Sequence, residues 1–285
     1  MQEGKRALSH EEPEREQQMF SWQSSEEASR WAQQSGWRQN LFGEATRLML
    51  EAAELGSGDH VLDIAAGTGD QSLFAARKVG PTGTVLATDI SAAMLKEAAR
   101  LAELEGFANL TTRVMNAEQL DLADQAFDAV ICRLGLMLVL HQHKAFLEIR
   151  RVLKPNRKLA ALVWSTPDRH PLLSIPLALV AKYVTVPSQT PNPISLAGPA
   201  VFEQALKEAG FREVSIQAIP IQFHFASMDA FFQQIPNNPV ANAMEQLNQP
   251  DQQRLQEEVE QALRQFEGPQ GLVFPAEMLL GVGTR

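Results

Sequence analysis

Val61-Leu62-Asp63-Ile64-Ala65-Ala66-Gly67-Thr68-Gly69-Asp70 runs from an apolar strand through a turn of small residues into the start of a helix. Small residues are needed where backbone passes close to a ligand or takes a positive φ. The helix that follows presents its unpaired N–H groups at the same place. One strand later, Val85-Leu86-Ala87-Thr88-Asp89-Ile90 ends in an acid about 20 positions beyond the turn. A carboxylate there can accept hydrogen bonds from both hydroxyls of a ribose. The two features together point to an adenosine-type ligand at the carboxyl end of a parallel sheet.

The turn itself narrows the ligand. A dinucleotide fingerprint places a third glycine or an alanine three positions after Gly69, where this chain has Ser72. Asp63, at the end of the strand, suits an ammonium-bearing ligand better than a pyrophosphate. Two readings of Asp63 stay open: a buried carboxylate that orders the turn by bonding backbone N–H groups, or a direct ligand contact. Asp128 reads as structural.

Outward from the turn, short apolar runs at His60–Ala65, Thr84–Thr88, Leu110–Met115, Phe127–Cys132 and Lys158–Trp164 alternate with amphipathic stretches at Gln71–Val79, Ala92–Gly106 and Lys144–Leu153. This alternation predicts an α/β fold with a parallel sheet covered on both faces. Ser91 can cap the second helix, Gly106 can end it, and Pro155 can stop the third. Residues 24–55 read as two helices separated near Gly36. Residues 165–197 carry six prolines and an apolar segment, Leu172–Val186. A helix at Pro199–Gly210, a strand at Val214–Phe225, helical sequence over 227–267 and a final strand at Met278–Gly283 follow, which suggests an antiparallel addition to the sheet edge. The expected organisation is a mobile tail at 1–20, a helical lid at 21–55, a ligand-binding core at 56–165, and cap segments with the closing strands at 166–285.

A formal charge of −9 over 285 residues argues against a nucleic-acid surface, which needs clustered cations. The densest basic group, Arg150, Arg151, Lys154, Arg157 and Lys158, sits around a helix end, where cations complement the dipole. One cysteine, Cys132, excludes an intrachain disulfide and fits a reducing cytoplasm. No secretory signal or membrane-spanning run is expected, since Arg133 and Lys182 break the most apolar stretches. No His, Cys and Asp spacing suggests a metal site. Oligomeric state is not legible.

The motif Val61–Asp70 resembles motif I of the class I methyltransferases, and more closely the ubiquinone/menaquinone-biosynthesis branch. Asp89-Ile90-Ser91-Ala92-Ala93-Met94-Leu95 resembles that branch's acidic-loop segment, and Asn116-Ala117-Glu118 falls where the family has Asp-Ala-Glu. Phe127-Asp128-Ala129-Val130, then Arg133-Leu134-Gly135-Leu136-Met137, resemble the fourth strand and its loop. Arg151-Val152-Leu153-Lys154-Pro155 resembles the approach to the fifth. The likeness covers about residues 30–165. It implies a Rossmann-like, seven-stranded, mostly parallel sheet with helical cap elements, and S-adenosyl-L-methionine as cofactor, released as S-adenosyl-L-homocysteine. In its terms Ala65, Gly67, Thr68 and Gly69 lie under the cofactor's methionine part. Asp89 holds the ribose, and Ile90 and Met94 flank the adenine. Asn116, Ala117 and Glu118 address the adenine edge, and the backbone near Arg133 and Leu134 approaches the ammonium. Ala65 stands where a glycine is common, Asn116 where an aspartate is, and Asn156-Arg157 where a glycine pair follows the proline.

The acceptor side is less determined. His141 and His143 follow the fourth strand on the ligand side, and His141 is the candidate base; a polar helix start is the competing reading. Trp37, Arg38, Met137, His170 and Phe223 are candidate pocket or lid residues, whereas His224 reads as surface or core. Trp22, Trp31 and Trp37 share helical spacing, which is more often packing. Apolar, aromatic cap segments suit a small, fairly apolar acceptor methylated on oxygen, nitrogen or carbon, of quinone or natural-product type. Two rivals remain: a nicotinamide-dependent oxidoreductase, and a protein that binds the same cofactor as a regulator or as a cyclisation or decarboxylation catalyst.

Overall fold

The computed structural model describes residues 24–184, 192–234 and 247–285. The expected tail, Trp22 and the cap stretches 185–191 and 235–246 lie outside the described residues. Seven strands lie on one path: β1 (His60–Ile64), β2 (Thr84–Asp89), β3 (Leu110–Val114), β4 (Phe127–Arg133), β5 (Leu153–Trp164), β6 (Arg212–Phe225) and β8 (Gly271–Thr284). Their order is β3-β2-β1-β4-β5-β8-β6, and a two-residue β7 (Glu267–Gly268) pairs with β8. Pairs from β3 to β5 are parallel; β8 is antiparallel to both β5 and β6. The mostly parallel sheet with one antiparallel strand beside its edge is as expected.

Period-2 alternation divides the side chains between two cores. Val61, Val85, Ala129, Ile131, Ala160, Leu162 and Leu280 pack on one face, beneath α2 (Ser35–Ala52), α3 (Asp70–Val79), α4 (Ala92–Leu104), α6 (Pro171–Val180) and α9 (Gln249–Leu263). Leu62, Ile64, Val130, Cys132, Leu159, Ala161, Val163 and Leu279 pack on the other, against α5 (Gln142–Val152) and α7 (Pro199–Glu208). Each such fully buried branched side chain contributes about 1.5–3 kcal/mol. The central strands, buried on both faces, are therefore the rigid part from which the turns project. Two further helices, α1 (Ser25–Gln33) and α8 (Met228–Gln234), and three short 3-10 turns at Leu136–Leu138, Pro167–Arg169 and Arg264–Phe266 complete the described elements.

Helix ends follow their local chemistry. Ser91 Oγ accepts the Met94 N–H at 3.2 Å, capping α4, and Gly106 takes a φ of 77° just past its end. The break between the N-terminal helices falls at Gln34 rather than at Gly36. Helix α5 ends at Val152, and β5 begins directly at Leu153, five residues earlier than its apolar run. The basic residues there are neutralised within the fold. Lys154 pairs with Asp128 at 2.8 Å, Arg157 with Asp59 at 2.5 Å and Asp128 at 3.0 Å, and Lys158 with Glu54 at 2.5 Å. Asp128, read as structural, has that role. Among the described residues no helix is long and apolar enough to cross a membrane.

Candidate active site

Leaving β1, the chain turns through Ala65 (φ 54°), Gly67 (φ 56°) and Gly69 (φ 84°), all left-handed. A Cβ on Gly69 would stand 2.9 Å from the Ala98 Cβ of α4, so the turn is closed to larger residues there. Neighbouring β2 fastens it. The Ala66 N–H donates to Thr88 O at 2.9 Å, and Thr88 Oγ1 donates to Asp63 O at 2.9 Å. Asp89 Oδ2 accepts the Gly67 N–H and its Oδ1 the Ser91 N–H, both at 2.9 Å. Each carboxylate oxygen has capacity for a further bond, and Asp89 is only half-buried. Burial raises its pKa, against the opposing pull of these backbone N–H groups.

The remaining residues expected on the adenosine side lie around Asp89. Ile90 is 38% exposed next to it and Met94 is buried. The Met115 N–H donates to Asp89 O at 3.0 Å, which brings the following Asn116, Ala117 and Glu118 alongside. Asn116 Oδ1 accepts the Glu118 N–H at 2.9 Å, closing a tight turn. After β4, Leu134 is left-handed (φ 62°) and its N–H donates to Leu162 O at 2.8 Å. Gly135 then passes so near the first turn that a Cβ on it would collide with the Ala65 Cβ and stand 3.0 Å from Cys132 Sγ. Ala65 and Gly135 are thus small for one shared reason: two loops meet there.

Asp63 is wholly buried, and each of its oxygens accepts one hydrogen bond. Gln71 Nε2 donates to Oδ1 at 3.1 Å and the Ser72 hydroxyl donates to Oδ2. Of the two readings, the geometry is that of an ordering residue, acting through side chains of α3 rather than backbone N–H groups. Burial pushes its pKa up to about 7, despite those hydrogen bonds and the Arg133 charge.

Above the turn lies an ion cluster that sequence reasoning missed. Asp70, 2% exposed, receives Arg38 Nε at 2.6 Å and Arg133 Nη2 at 3.3 Å on the same oxygen, and Ser35 Oγ at 2.6 Å on the other. Arg38 also donates to Thr68 Oγ1 at 2.9 Å and to Trp31 O, and lies 4.7 Å from the Trp31 ring. Arg133 Nη1 donates to Thr46 Oγ1 at 2.9 Å. The two guanidinium side chains are only 3% and 6% exposed. Arg38, expected at an acceptor pocket or lid, is therefore placed on the glycine turn, and Trp31 rather than Trp37 stands over it. Asp70 was quoted in the motif without a role. A carboxylate opening a helix is its only signal in sequence, because both arginine partners come from distant elements.

Of the acceptor-side candidates, Trp37, His170 and Phe223 come together in a ring cluster at the ends of β5 and β6, with Trp164 and Phe42 added. Met137 is buried, and its carbonyl accepts the Ser195 hydroxyl at 2.6 Å. His141 is exposed at the start of α5, with its backbone N–H on Glu118 Oε1 at 3.1 Å. The structure thus puts it at a polar helix start, the competing reading, and among the described residues its ring has no partner that would orient it as a base. His143 is likewise exposed.

Fold and turn together are those of an open α/β sheet with a ligand crevice at the carboxyl ends of its strands. Residues 55–172 match the family model described as "Methyltransferase domain", and over that stretch the resemblance read from the sequence is borne out. The chain is 40% identical over 123 residues to the ubiquinone/menaquinone biosynthesis C-methyltransferase UbiE of Pseudomonas aeruginosa, covering 43% of this chain and 48% of that one. It thus spans about half the length of the curated relatives it matches. Among solved structures it is similar to the YcgJ protein of Bacillus subtilis, with a TM-score of 0.61 and 20% identity over 85% of this chain and 98% of that one. It also resembles the Haemonchus contortus phosphoethanolamine N-methyltransferase 2 bound to phosphomonomethylethanolamine and S-adenosylhomocysteine. There the TM-score is 0.55 and the identity 18%, over 85% of this chain and 53% of that one. At those identities the likeness is one of fold.

Proposed function

We propose that this protein is an S-adenosylmethionine-dependent methyltransferase acting on a small, fairly apolar organic acceptor. The observation that carries the reading is the clamped turn Ala65–Gly69 with Asp89 fastened across it, inside the stretch that matches a methyltransferase domain. The residues present fit the cofactor. Spare acceptor capacity on Asp89 suits two ribose hydroxyls. Ile90 and Met94 offer the adenine its flanks, and Asn116, Ala117 and Glu118 its edge. Ala65, Gly67, Thr68 and Gly69 leave room for the methionine portion. Two buried guanidiniums, Arg38 and Arg133, face one carboxylate, Asp70. That surplus of positive charge suits the carboxylate of an amino-acid ligand, and the backbone at Arg133 and Leu134 lies where its ammonium is expected.

When bound, the cofactor supplies a methyl group made electrophilic by a sulfonium. The chain's own task is alignment, since holding a nucleophile in line can supply about 7–11 kcal/mol of the barrier. In this reading residues 56–165 hold the cofactor, 21–55 close over it, and segments within 166–285 shape the acceptor side. The UbiE relatives, named as C-methyltransferases of ubiquinone and menaquinone biosynthesis, make a quinone-type ring one acceptor class to test beside natural-product phenols and amines. Incubation with methyl-labelled cofactor and such a panel should move label into a small molecule. Absence of transfer to every class would count against the proposal. Protection against heat by a nicotinamide dinucleotide instead of S-adenosylhomocysteine would favour the oxidoreductase.

A further inference from the structure

Beneath the glycine turn, Asp63 is a buried acid to which no cation among the described residues bonds. It lies two residues before Ala65 on β1 and is wholly buried. Its two side-chain donors, Gln71 Nε2 and the Ser72 hydroxyl, are both neutral. The charged and titratable groups that face it come from the neighbouring strands. Arg133 and Cys132 of β4 and Asp89 of β2 interact with it through space. On α3 and α2, Asp70 and Arg38 are bound to one another at 2.6 Å. Arg133 is itself committed elsewhere, donating to Asp70 at 3.3 Å and to Thr46 Oγ1 at 2.9 Å. Cys132 stays a neutral thiol, since burial pushes its pKa up to about 12.

A carboxylate enclosed in this way is costly as an anion unless positive charge comes near it. Burial raises its pKa to about 7, so both of its forms are populated near neutrality. Neither form disturbs the local structure. The ionised group accepts from the Ser72 hydroxyl. The protonated group can donate to that same hydroxyl, which then turns its own hydrogen elsewhere. The side chain therefore keeps its place while its charge changes. Asp89 is placed differently. It is half-buried and accepts the Gly67 and Ser91 N–H groups, so solvent and peptide dipoles share its charge. The ligand proposed for this turn also changes charge. A sulfonium methyl donor carries one positive charge more than the thioether left after transfer. At an effective dielectric of about 20, one added charge within about 10 Å moves a buried carboxyl's proton equilibrium by roughly tenfold.

We propose that Asp63 distinguishes the sulfonium cofactor from its thioether product, giving up its proton to solvent when the cofactor binds and taking one back from solvent when the product is left. The proposal rests on the methyltransferase reading for the identity of the ligand. Wholly buried, Asp63 acts through its charge rather than by contact, which makes it a specificity-determining residue and not a catalytic one. Its ionised form attracts the sulfonium. Once the methyl group has gone, the regained proton removes a buried charge that has lost its partner. The preference for cofactor over product therefore grows as pH rises, because only the ionised form tells them apart.

Calorimetric titration of the full chain with S-adenosylmethionine and with S-adenosylhomocysteine, at about pH 6 and about pH 8, tests it in the wild type and in Asp63→Asn. Asparagine keeps the shape and cannot ionise, so the variant reports only the titration of the ligands and of the other groups. Between the two pH values the wild-type affinity ratio of cofactor to product should rise about fivefold more than the variant's. Infrared difference spectra of the wild type at about pH 6.5 supply a readout that needs no variant: the protonated-carboxyl band should be lost on saturation with the cofactor and kept with the product. Ratios that change in parallel to within about twofold, or a carboxyl band unmoved by the cofactor, would overturn the proposal. If both ligands bind and their pH dependences are parallel, Asp63 loses this role and the methyltransferase reading stands. If neither ligand binds, both fall.

Discussion

Asp70→Asn is the substitution on which the ion cluster should register most strongly. In the native fold one carboxylate, 2% exposed, is shared by Arg38 at 2.6 Å and Arg133 at 3.3 Å, and both guanidiniums are nearly as buried as their partner. Asparagine keeps the shape and one carbonyl acceptor but removes the charge, leaving two buried cations 3% and 6% exposed without the carboxylate they share. Breaking a buried pair in this way costs about 3–5 kcal/mol. Burial of all three groups means solvent screening takes little from that figure. Against a total stability of about 5–15 kcal/mol this is a large share. At about 2–3 °C per kcal/mol for a chain of this size, the melting temperature should fall by about 6–15 °C. Thermal unfolding followed by circular dichroism measures it directly. The reasoning also requires coupling: with Arg38→Met added, the loss should be smaller than the sum of the two single losses by at least about 1.5 kcal/mol. An Asp70→Asn protein melting within about 2 °C of the wild type would refute the argument, because a buried counter-ion cannot be dispensable in this geometry.

Gly135→Ala should lower stability by about 1–3 kcal/mol, since its new methyl meets the Ala65 Cβ and Cys132 Sγ; an unchanged urea midpoint would show that the two loops are free to part. Asp63 has a pKa of about 7 in the fold against an ordinary 3.8, so between those values the folded state holds a proton the unfolded chain has lost. Its contribution is full at low pH and disappears as pH rises through about 7. His170 acts oppositely: its folded value is about 4 against 6.5, so its burial disfavours the fold as pH falls through that window. The two slopes offset one another between about pH 4 and 6.5. Asp63→Asn should therefore make stability rise with pH there more steeply than in the wild type, by up to about 1.4 kcal/mol per pH unit. Urea midpoints at a series of pH values check this, and parallel curves would contradict it.

The central sheet was legible because each inner strand is a short apolar run bounded by turn residues, as at Val61–Ile64 and Val85–Thr88. What escaped depends on partners far along the chain. The first residues of β5, Lys154-Pro155-Asn156-Arg157, are polar and contain a proline, and they hold strand geometry because Asp59 and Asp128 neutralise them. Strand β8 begins at Gly271, seven residues before its expected start, and includes Pro275. Pro275 opposes Gln222 of β6, but β5 pairs with β8 only from Met278 onward, so the missing N–H lies on an unpaired side. Nothing local announces that.

Site residues divide the same way. Gly67, Gly69 and Asp89 were legible because the motif sets their backbone. Arg38, Thr46 and Phe42 meet Asp70 and Arg133 only after α2 docks across the strand ends, and no spacing encodes that docking. His141 sits on the ligand side in chain order yet turns out exposed at a helix start. His170, named from the sequence as a candidate pocket residue, is the imidazole that the fold encloses.

The most direct measurement is isothermal titration of S-adenosylhomocysteine into the wild type and into Asp89→Ala, with circular dichroism confirming that both are folded. A one-to-one complex is predicted for the wild type, weakened roughly 100-fold in the variant, since two charge-assisted ribose hydrogen bonds are lost. No binding by the wild type, or equal affinity in the two proteins, would contradict the account.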